Sequence, residues 1–191
     1  MKKISWMFAL LVATLMTIQV SAANERVGNF ALLDHEGSYH QLRKYGESKA
    51  VVIISTAATC LENIEQLPKY RLLRTTWERQ GISFLAINSS AQDDLEAVRR
   101  MDLLHNFDLP ILIDNSQLVA ESLGLSKAGE VIVLEPQRFQ VLYRGGLDIN
   151  PQRARPDRNI EAVEGTSFLA DILTAAVADE LDSNDAIIET A

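Results

Sequence analysis

The apolar positions along the chain form two repeating patterns, and together these predict strands separated by helices. Uninterrupted apolar runs rich in β-branched residues at 50–55 and 82–87 are typical of strands that are buried on both faces of a sheet. Residues 61–80 lie between these runs and carry apolar side chains at helical spacing, and Gly81 predicts the end of that helix. The same spacing predicts a second helix over residues 93–106.

The remaining patterns predict shorter elements around these four. Strands are expected at residues 29–33, 39–42, 110–113, 130–134 and 139–143, helices at 116–123 and 166–181, and a polar loop at 150–159. Strands that alternate with helices imply parallel crossovers in one sheet. The predicted fold is therefore of the α/β class, with a central mixed sheet, helices on both faces, a closing β-hairpin and a C-terminal helix.

The first 22 residues have the pattern of a cleavable export signal. Lys2 and Lys3 precede an apolar stretch at residues 4–20, and small residues follow at the expected cleavage site. The alternative is an uncleaved membrane anchor, but such a helix needs about 20 predominantly apolar residues, and polar residues interrupt this shorter run. We therefore expect a periplasmic or secreted protein without a stable membrane span. The mature domain would cover residues 23–181, and an acidic flexible tail residues 182–191.

The charge of the chain limits the partners that it can bind. The formal net charge is −8, and removal of the export signal, which contains two lysines and no acidic residue, would make it −10. Nucleic acids and anionic membrane surfaces bind proteins through clustered lysine and arginine. The acidity therefore argues against both partners and agrees with an ordinary solvated surface. A mature chain of this length is sufficient for one domain with a sizeable core.

Cys60 is the only cysteine in the chain. Exported proteins meet oxidising conditions, in which paired cysteines form structural disulfides, but a single cysteine cannot cross-link its own chain. Three roles stay open for Cys60: a buried and inert side chain, a reactive thiol, or one half of a disulfide between two chains. The inert role is the ordinary alternative, because free cysteine is among the most buried residue types.

The segment that begins at Ser55, STAATCLENIEQLP, resembles the redoxin families. These families include the exported TlpA-like thiol–disulfide proteins and the alkyl hydroperoxide reductase/thiol-specific antioxidant proteins. In the TlpA-like group a Cys-x-x-Cys pattern opens a helix and a proline follows the first cysteine by eight residues, a spacing that Cys60 and Pro68 reproduce. Similar segments lie at 81–88, 109–114, 119–124 and 143–145. The resemblance implies a thioredoxin-like fold with its chemistry at Cys60.

The chain departs from the TlpA-like pattern at two positions. Asn63 stands where the resolving cysteine would be, so this chain alone cannot exchange a dithiol for a disulfide. Gly129 stands where these families usually carry a cis-proline that faces the cysteine. The resemblance therefore implies a groove between Cys60 and Gly129 that lacks a rigid cis turn.

The chain also departs from the peroxiredoxins, which resemble Pro-x-x-x-Thr-x-x-Cys at their active site. Ile53 and Ala57 occupy the positions of that proline and that threonine. Thr59, or Thr56 as the alternative, is then a candidate for the hydroxyl that would hold a peroxide, and Arg144 for the arginine that assists the thiolate. The alternative for Arg144 is a solvated charge that nearby acidic residues compensate.

The sequence predicts no metal and no cofactor. His35, His40 and His105 are well separated along the chain. Copper-delivering members of the thioredoxin fold resemble Cys-x-x-x-Cys with a distant histidine, because soft thiolate pairs suit copper. Ile64 occupies the position of their second cysteine.

These observations support two hypotheses from different functional classes. The first is an exported redoxin-like thiol oxidoreductase or one-cysteine peroxidase that uses Cys60 and needs an external thiol or reductant protein to resolve the oxidised sulfur. The second is a redox-inactive binding or assembly module of the cell envelope, whose protein partner would dock at the groove between Cys60 and Gly129. A covalent homodimer through Cys60 is a third alternative.

Overall fold

The computed structural model describes residues 25–147 and 168–180, together with the backbone of Ile187–Ile188. The predicted export signal and the predicted loop at 150–159 lie outside the described residues. Two short strands come first, β1 Ala31–Leu33 and β2 Tyr39–Gln41, and they form a small antiparallel hairpin. The turn between them lies where the sequence predicts it.

Six further strands form the central sheet. They are β3 Ala50–Thr56, β4 Ile82–Asn88, β5 Ile111–Ile113, β6 Glu130–Glu135, β7 Gln140–Gly146 and β8 Ile187–Ile188. Their order in the sheet is β5-β4-β3-β6-β7-β8. The pairs β3–β4, β4–β5 and β7–β8 are parallel, whereas β6 runs antiparallel to both of its neighbours. The predicted mixed sheet with a closing hairpin is thereby confirmed.

Helices cover both faces of this sheet. The described helices are α1 Leu61–Trp77, α2 Leu95–His105, α3 Leu118–Ser122 and α4 Phe168–Ala178. The central strand β3 is buried at every position and contributes to two apolar layers. Val52 and Ile54 face the layer that α1, α2 and α4 cover, and Val51 and Ile53 face the layer that α3 and the first hairpin cover. Burial on both faces explains the uninterrupted apolar sequence of β3.

The two long helices have clear chemical signals at their ends. After α1 a 3-10 turn of Glu78–Gln80 leads to Gly81, whose φ of 93° is in the left-handed region, so the predicted glycine stop is confirmed. α2 begins after Asp94, whose carboxylate accepts a hydrogen bond of 2.7 Å from the Ala97 N–H. The sequence pattern placed this start at Asp93, and Asp93 has a different role at the site described below.

The strand β8 was not expected from the sequence. Its two residues pair in parallel with Tyr143 and Arg144 of β7, within the segment 182–191 that the sequence analysis interpreted as a flexible tail. Two adjacent isoleucines suit the pleated edge of a sheet because of their β-branched side chains. A run of two is too short to form a recognisable pattern among acidic residues. The other residues of that segment lie outside the described part of the chain.

Candidate functional site

Cys60 lies at the junction between the central strand and the first helix. β3 ends at Thr56, a loop of three residues follows, and Cys60 is the N-cap residue of α1, with extended backbone angles. Its side chain is half-buried. The N–H groups of the first helical turn have no partners within the helix, and together with the helix dipole they favour negative charge at this end. The fold therefore places the only thiol of the chain at the N-terminus of a helix.

Asp93 holds the loop that precedes Cys60. One carboxylate oxygen accepts hydrogen bonds from the Ala58 N–H (2.6 Å) and from Asn88 Nδ2 (2.8 Å), and the other accepts one from the Thr59 hydroxyl (2.7 Å). Burial of Asp93 acts to raise the pKa of its carboxyl group, but the hydrogen bonds from Asn88, Thr59 and Ala58 outweigh burial and hold this pKa below its ordinary value. Asp93 is therefore an ionised clamp on the loop at neutral pH.

Asp93→Asn is expected to lower the free energy of unfolding at pH 7 by about 1–3 kcal/mol, because three donors would share one remaining acceptor oxygen. The effect should shrink in acid. Since the folded-state pKa of Asp93 lies below the unfolded value of about 3.9, its contribution is present above that value and is lost as the pH falls through the folded pKa. Urea unfolding at pH 7 and pH 3 measures both effects.

Asp94→Asn is the matched control for this variant. Asp94 is exposed, and asparagine is as good an N-cap residue as aspartate, so the free energy of unfolding should change by no more than about 0.5 kcal/mol. Equal stability losses in the two variants would contradict the clamp assigned to Asp93. The sequence analysis missed Asp93 because helical spacing alone placed it at the start of α2.

Thr59 is beside Cys60, but its hydroxyl proton is engaged. The side chain is exposed, and Oγ1 donates to Asp93 Oδ1. The oxygen of Thr59 retains lone pairs that can accept a further hydrogen bond. Thr59 therefore precedes Cys60 in the chain with its hydroxyl proton already donated to Asp93.

Asn63 occupies the resolving-cysteine position as a buried structural group. Its side-chain oxygen accepts hydrogen bonds from the Thr56 hydroxyl at 2.6 Å and from the Ala57 N–H at 3.1 Å. The residue is only 1% exposed. Its amide nitrogen, Nδ2, is buried and has no hydrogen-bond partner among the described residues. The sequence showed only that Asn63 stands in place of a cysteine, because the hydrogen-bond partners of a side chain cannot be inferred from spacing.

Gly129 precedes β6 and contacts Tyr70 of α1. Its N–H donates to the Ser55 carbonyl at 2.8 Å, and the Tyr70 hydroxyl lies 3.1 Å from its carbonyl oxygen. Its φ is +91°, and no peptide bond in the described residues is cis. Proline could neither adopt this φ nor donate this hydrogen bond. The backbone conformation at residue 129 is therefore one that glycine adopts and proline cannot.

Arg144 is held away from Cys60. It pairs with Ile132 across the β6–β7 ladder, and Ile132 belongs to the apolar layer that α3 covers. Paired residues point to the same face of a sheet, so Arg144 lies on the face opposite α1. Its guanidinium donates to the Leu123 carbonyl and to Glu25 at 2.5 Å. The structure does not bring Arg144 together with Cys60; its side chain is only 14% exposed, and its ion pair is with Glu25.

The histidines of the first hairpin have structural partners. His40 Nε2 lies 2.8 Å from the Asp34 carboxylate, and His40 Nδ1 lies 2.5 Å from the Tyr45 hydroxyl. His35 accepts a hydrogen bond from the Ile111 N–H through Nδ1. Burial acts to raise the pKa of Asp34, but its hydrogen bonds from His40 and from two backbone N–H groups hold that pKa below its ordinary value. The His35 contact fastens the hairpin to β5, whereas the His40 contacts hold residues 34–45 together.

A cavity of about 470 Å³ lies on the α3 side of the Cys60 loop. It is lined by polar residues that include Thr56, Ser89, Gln117 and Lys127, and Cys60 does not line it. No group of three or more metal-ligating side chains is found in the part of the chain that the structure describes. None of the helices described there has the length and hydropathy needed to span a bilayer.

Comparison with known proteins agrees with this architecture. Residues 23–146 match the model of the AhpC/TSA family. No match to a curated protein sequence was found.

Several solved structures share the fold. A hypothetical protein from Sinorhizobium meliloti 1021 superposes with a TM-score of 0.65 at 21% identity, over 82% of this chain and 85% of that one. A proposed thiol:disulfide interchange protein, DsbE, from Chlorobium tepidum gives 0.63 at 15% identity, over 81% and 96%. Peroxidoxin BcpB from Mycobacterium tuberculosis gives 0.56 at 18% identity, over 86% and 96%. These similarities confirm the predicted thioredoxin-like fold.

Proposed function

Because the chain belongs to the AhpC/TSA family, we propose that it is an exported thiol oxidoreductase or peroxidase with Cys60 as its only redox centre. The placement of Cys60 carries this proposal. The thiol belongs to the N-cap residue of α1, at the end of the loop that follows the central strand, and it is half-buried. The Asp93 clamp on the preceding loop supports the same reading, since it fixes the backbone that presents the thiol.

The proposed cycle consumes one hydroperoxide and two external thiols. The Cys60 thiolate attacks one oxygen of the hydroperoxide and the O–O bond breaks; the sulfur loses two electrons and becomes a sulfenic acid, and the other oxygen leaves with a proton as water or an alcohol. One thiol then attacks this sulfur, releases water and leaves a mixed disulfide. A second thiol attacks the outer sulfur, which releases an external disulfide and restores Cys60. Both thiols are external because the chain has no other cysteine.

Export is part of this proposal. The basic and apolar pattern of residues 1–22 supports it, and the family match begins immediately afterwards, at residue 23. The mass of the protein recovered from the periplasm or medium of an expressing cell checks it. Recovery of the uncleaved chain in the cytosol alone would contradict it.

A redox-inactive binding module is the second candidate, and two observations favour it. Asn63 and Gly129, which replace the resolving cysteine and the cis-proline, both have structural roles. Asn63 accepts a hydrogen bond from the loop before Cys60, and the Gly129 N–H bonds to Ser55. Leu61, the residue after Cys60, is 68% exposed and offers apolar contact area to a partner.

The first test is the reactivity of Cys60 in the folded mature protein. We expect rapid labelling by iodoacetamide at a pH well below the ordinary thiol pKa of about 8.5, loss of labelling after one equivalent of hydrogen peroxide, and recovery with dithiothreitol. Cys60→Ser should neither label nor consume peroxide. Labelling that requires denaturation would contradict the redox function and favour the binding module. Non-reducing electrophoresis in the same experiment separates both from a covalent homodimer.

A further inference from the structure

The buried amide nitrogen of Asn63 has an orientation that its partners determine. The Ala57 backbone group can only donate, so the side-chain atom 3.1 Å from it must be the oxygen, Oδ1. The Thr56 hydroxyl donates to the same oxygen. Nδ2 therefore points away from these two groups, and rotating the amide by half a turn would set an N–H against an N–H.

Asn63 lies one helical turn after Cys60. Cys60 is the N-cap of α1 and Asn63 is its third residue, a spacing at which side chains are neighbours and at which the later one reaches back over the cap. The bonds to Thr56 and Ala57 confirm that the Asn63 side chain lies back against the loop that leads into Cys60. The unpartnered N–H donors are therefore buried on the residue that follows the thiol-bearing Cys60 by one helical turn.

A buried donor without a partner is unfavourable, and such groups are few in native proteins. It becomes favourable if an acceptor forms beside it in another state of the site. Oxidation of Cys60 creates such an acceptor, because the sulfur gains an oxygen that carries negative charge as the sulfenate. Donors fixed in advance in a buried site stabilise developing charge more than water does.

We propose that Asn63 Nδ2 donates a hydrogen bond to the oxygen of the Cys60 sulfenate. This inference rests on the proposed function and assigns to Asn63 a positioning and stabilising role in it. A cysteine at this position would convert the oxidised sulfur to a disulfide, whereas Asn63 would stabilise the sulfenate. The sulfenate accordingly persists until an external thiol arrives. Asn63 makes no bond to sulfur and exchanges no electrons.

The test compares the lifetime of the sulfenate in three variants. The purified mature protein is oxidised with one equivalent of hydrogen peroxide without thiols, and the fraction trapped by dimedone is measured by mass spectrometry against time. Asn63→Asp keeps an acceptor for Thr56 and Ala57 but removes the N–H donors, and Asn63→Leu removes the donors without adding charge. Both should shorten the lifetime at least about tenfold, the effect of losing a hydrogen bond to a charged group.

Thr56→Val is the matched control. It removes one partner of Asn63 Oδ1, while the Ala57 N–H still fixes the amide orientation, so the lifetime of the sulfenate should stay within about twofold of the wild type. Lifetimes within about twofold of the wild type in both Asn63 variants would overturn the inference and leave the proposed function standing. A folded wild-type protein that gives no dimedone adduct would overturn the proposed function, and this inference with it.

A measurement on the wild-type protein tests the inference even if the Asn63 variants do not fold. In protein labelled with ¹⁵N-asparagine, oxidation of Cys60 should shift the Asn63 side-chain N–H₂ protons downfield and slow their exchange with solvent. The Asn88 side chain, which already donates to Asp93, should change little and provides an internal reference. Unchanged Asn63 signals in protein that dimedone shows to be oxidised would overturn the inference.

Discussion

An Asn63→Cys variant is expected to form a disulfide with Cys60 on mild oxidation. The two positions are the N-cap and third residue of α1, the spacing of Cys-x-x-Cys at a helix start. Residues one helical turn apart fall within the Cα separation of about 4.4–6.8 Å that a disulfide requires. Intact mass should fall by two hydrogen atoms, and the variant should catalyse thiol–disulfide exchange that the wild-type chain cannot carry out alone.

Gain of this disulfide should be accompanied by a loss of stability in the reduced form. The Thr56 hydroxyl and the Ala57 N–H lose their acceptor, at a cost of about 1–3 kcal/mol in the free energy of unfolding. Glu65→Cys is the control: it is exposed and lies five residues after Cys60, on a different side of the helix, so it should keep two free thiols. Two free thiols in oxidised Asn63→Cys would contradict the predicted geometry of the helix start.

Gly129→Pro is expected to destabilise the protein instead of restoring a family feature. Proline holds φ near −65°, whereas Gly129 has a φ of +91°, and proline also lacks the N–H that bonds to Ser55. We expect a loss of about 3 kcal/mol or more in the free energy of unfolding. Urea unfolding at pH 7 measures this loss.

Gly129→Ala separates the cost of the left-handed backbone from the cost of losing the hydrogen bond to Ser55. It keeps the N–H, and its Cβ would lie 3.6 Å from the Tyr70 hydroxyl, an ordinary contact, so only the left-handed backbone is unfavourable. This strain costs about 1–2 kcal/mol. If proline destabilised the protein no more than alanine, the hydrogen bond between Gly129 and Ser55 would contribute nothing to stability.

The sequence predicted those parts of the fold that short-range patterns determine. The apolar run of β3 predicted a strand buried on both faces, and all of its residues are buried. The glycine after α1, the hairpin of β6 and β7, and the placement of Cys60 at a strand-to-helix junction were also predicted and are present. In each case the information lies within a few neighbouring residues.

The site contacts could not be predicted because the spacing of residues along the chain does not show which polar groups bond to one another. Asp93 clamps Ala58 and Thr59 from a different loop, and Asn63 turns back to Thr56 and Ala57. Spacing alone did not indicate either set of partners. The prediction for Arg144 depended on the face of β7 to which it points, and this face is set by the register with β6.

The two ends of the described chain meet on the same strand. The backbone of Glu25 and Val27 exchanges hydrogen bonds with Val141 and Phe139 at the start of β7, and Ile187–Ile188 pair farther along it. On the other side of the sheet, the His35 N–H bonds to the Ile111 carbonyl of β5. Residues 25–27 and β8 thus cover the backbone edge of β7, and residues 34–35 of the first hairpin cover part of the edge of β5. Coverage of this kind is one way in which natural sheets avoid edge-to-edge aggregation.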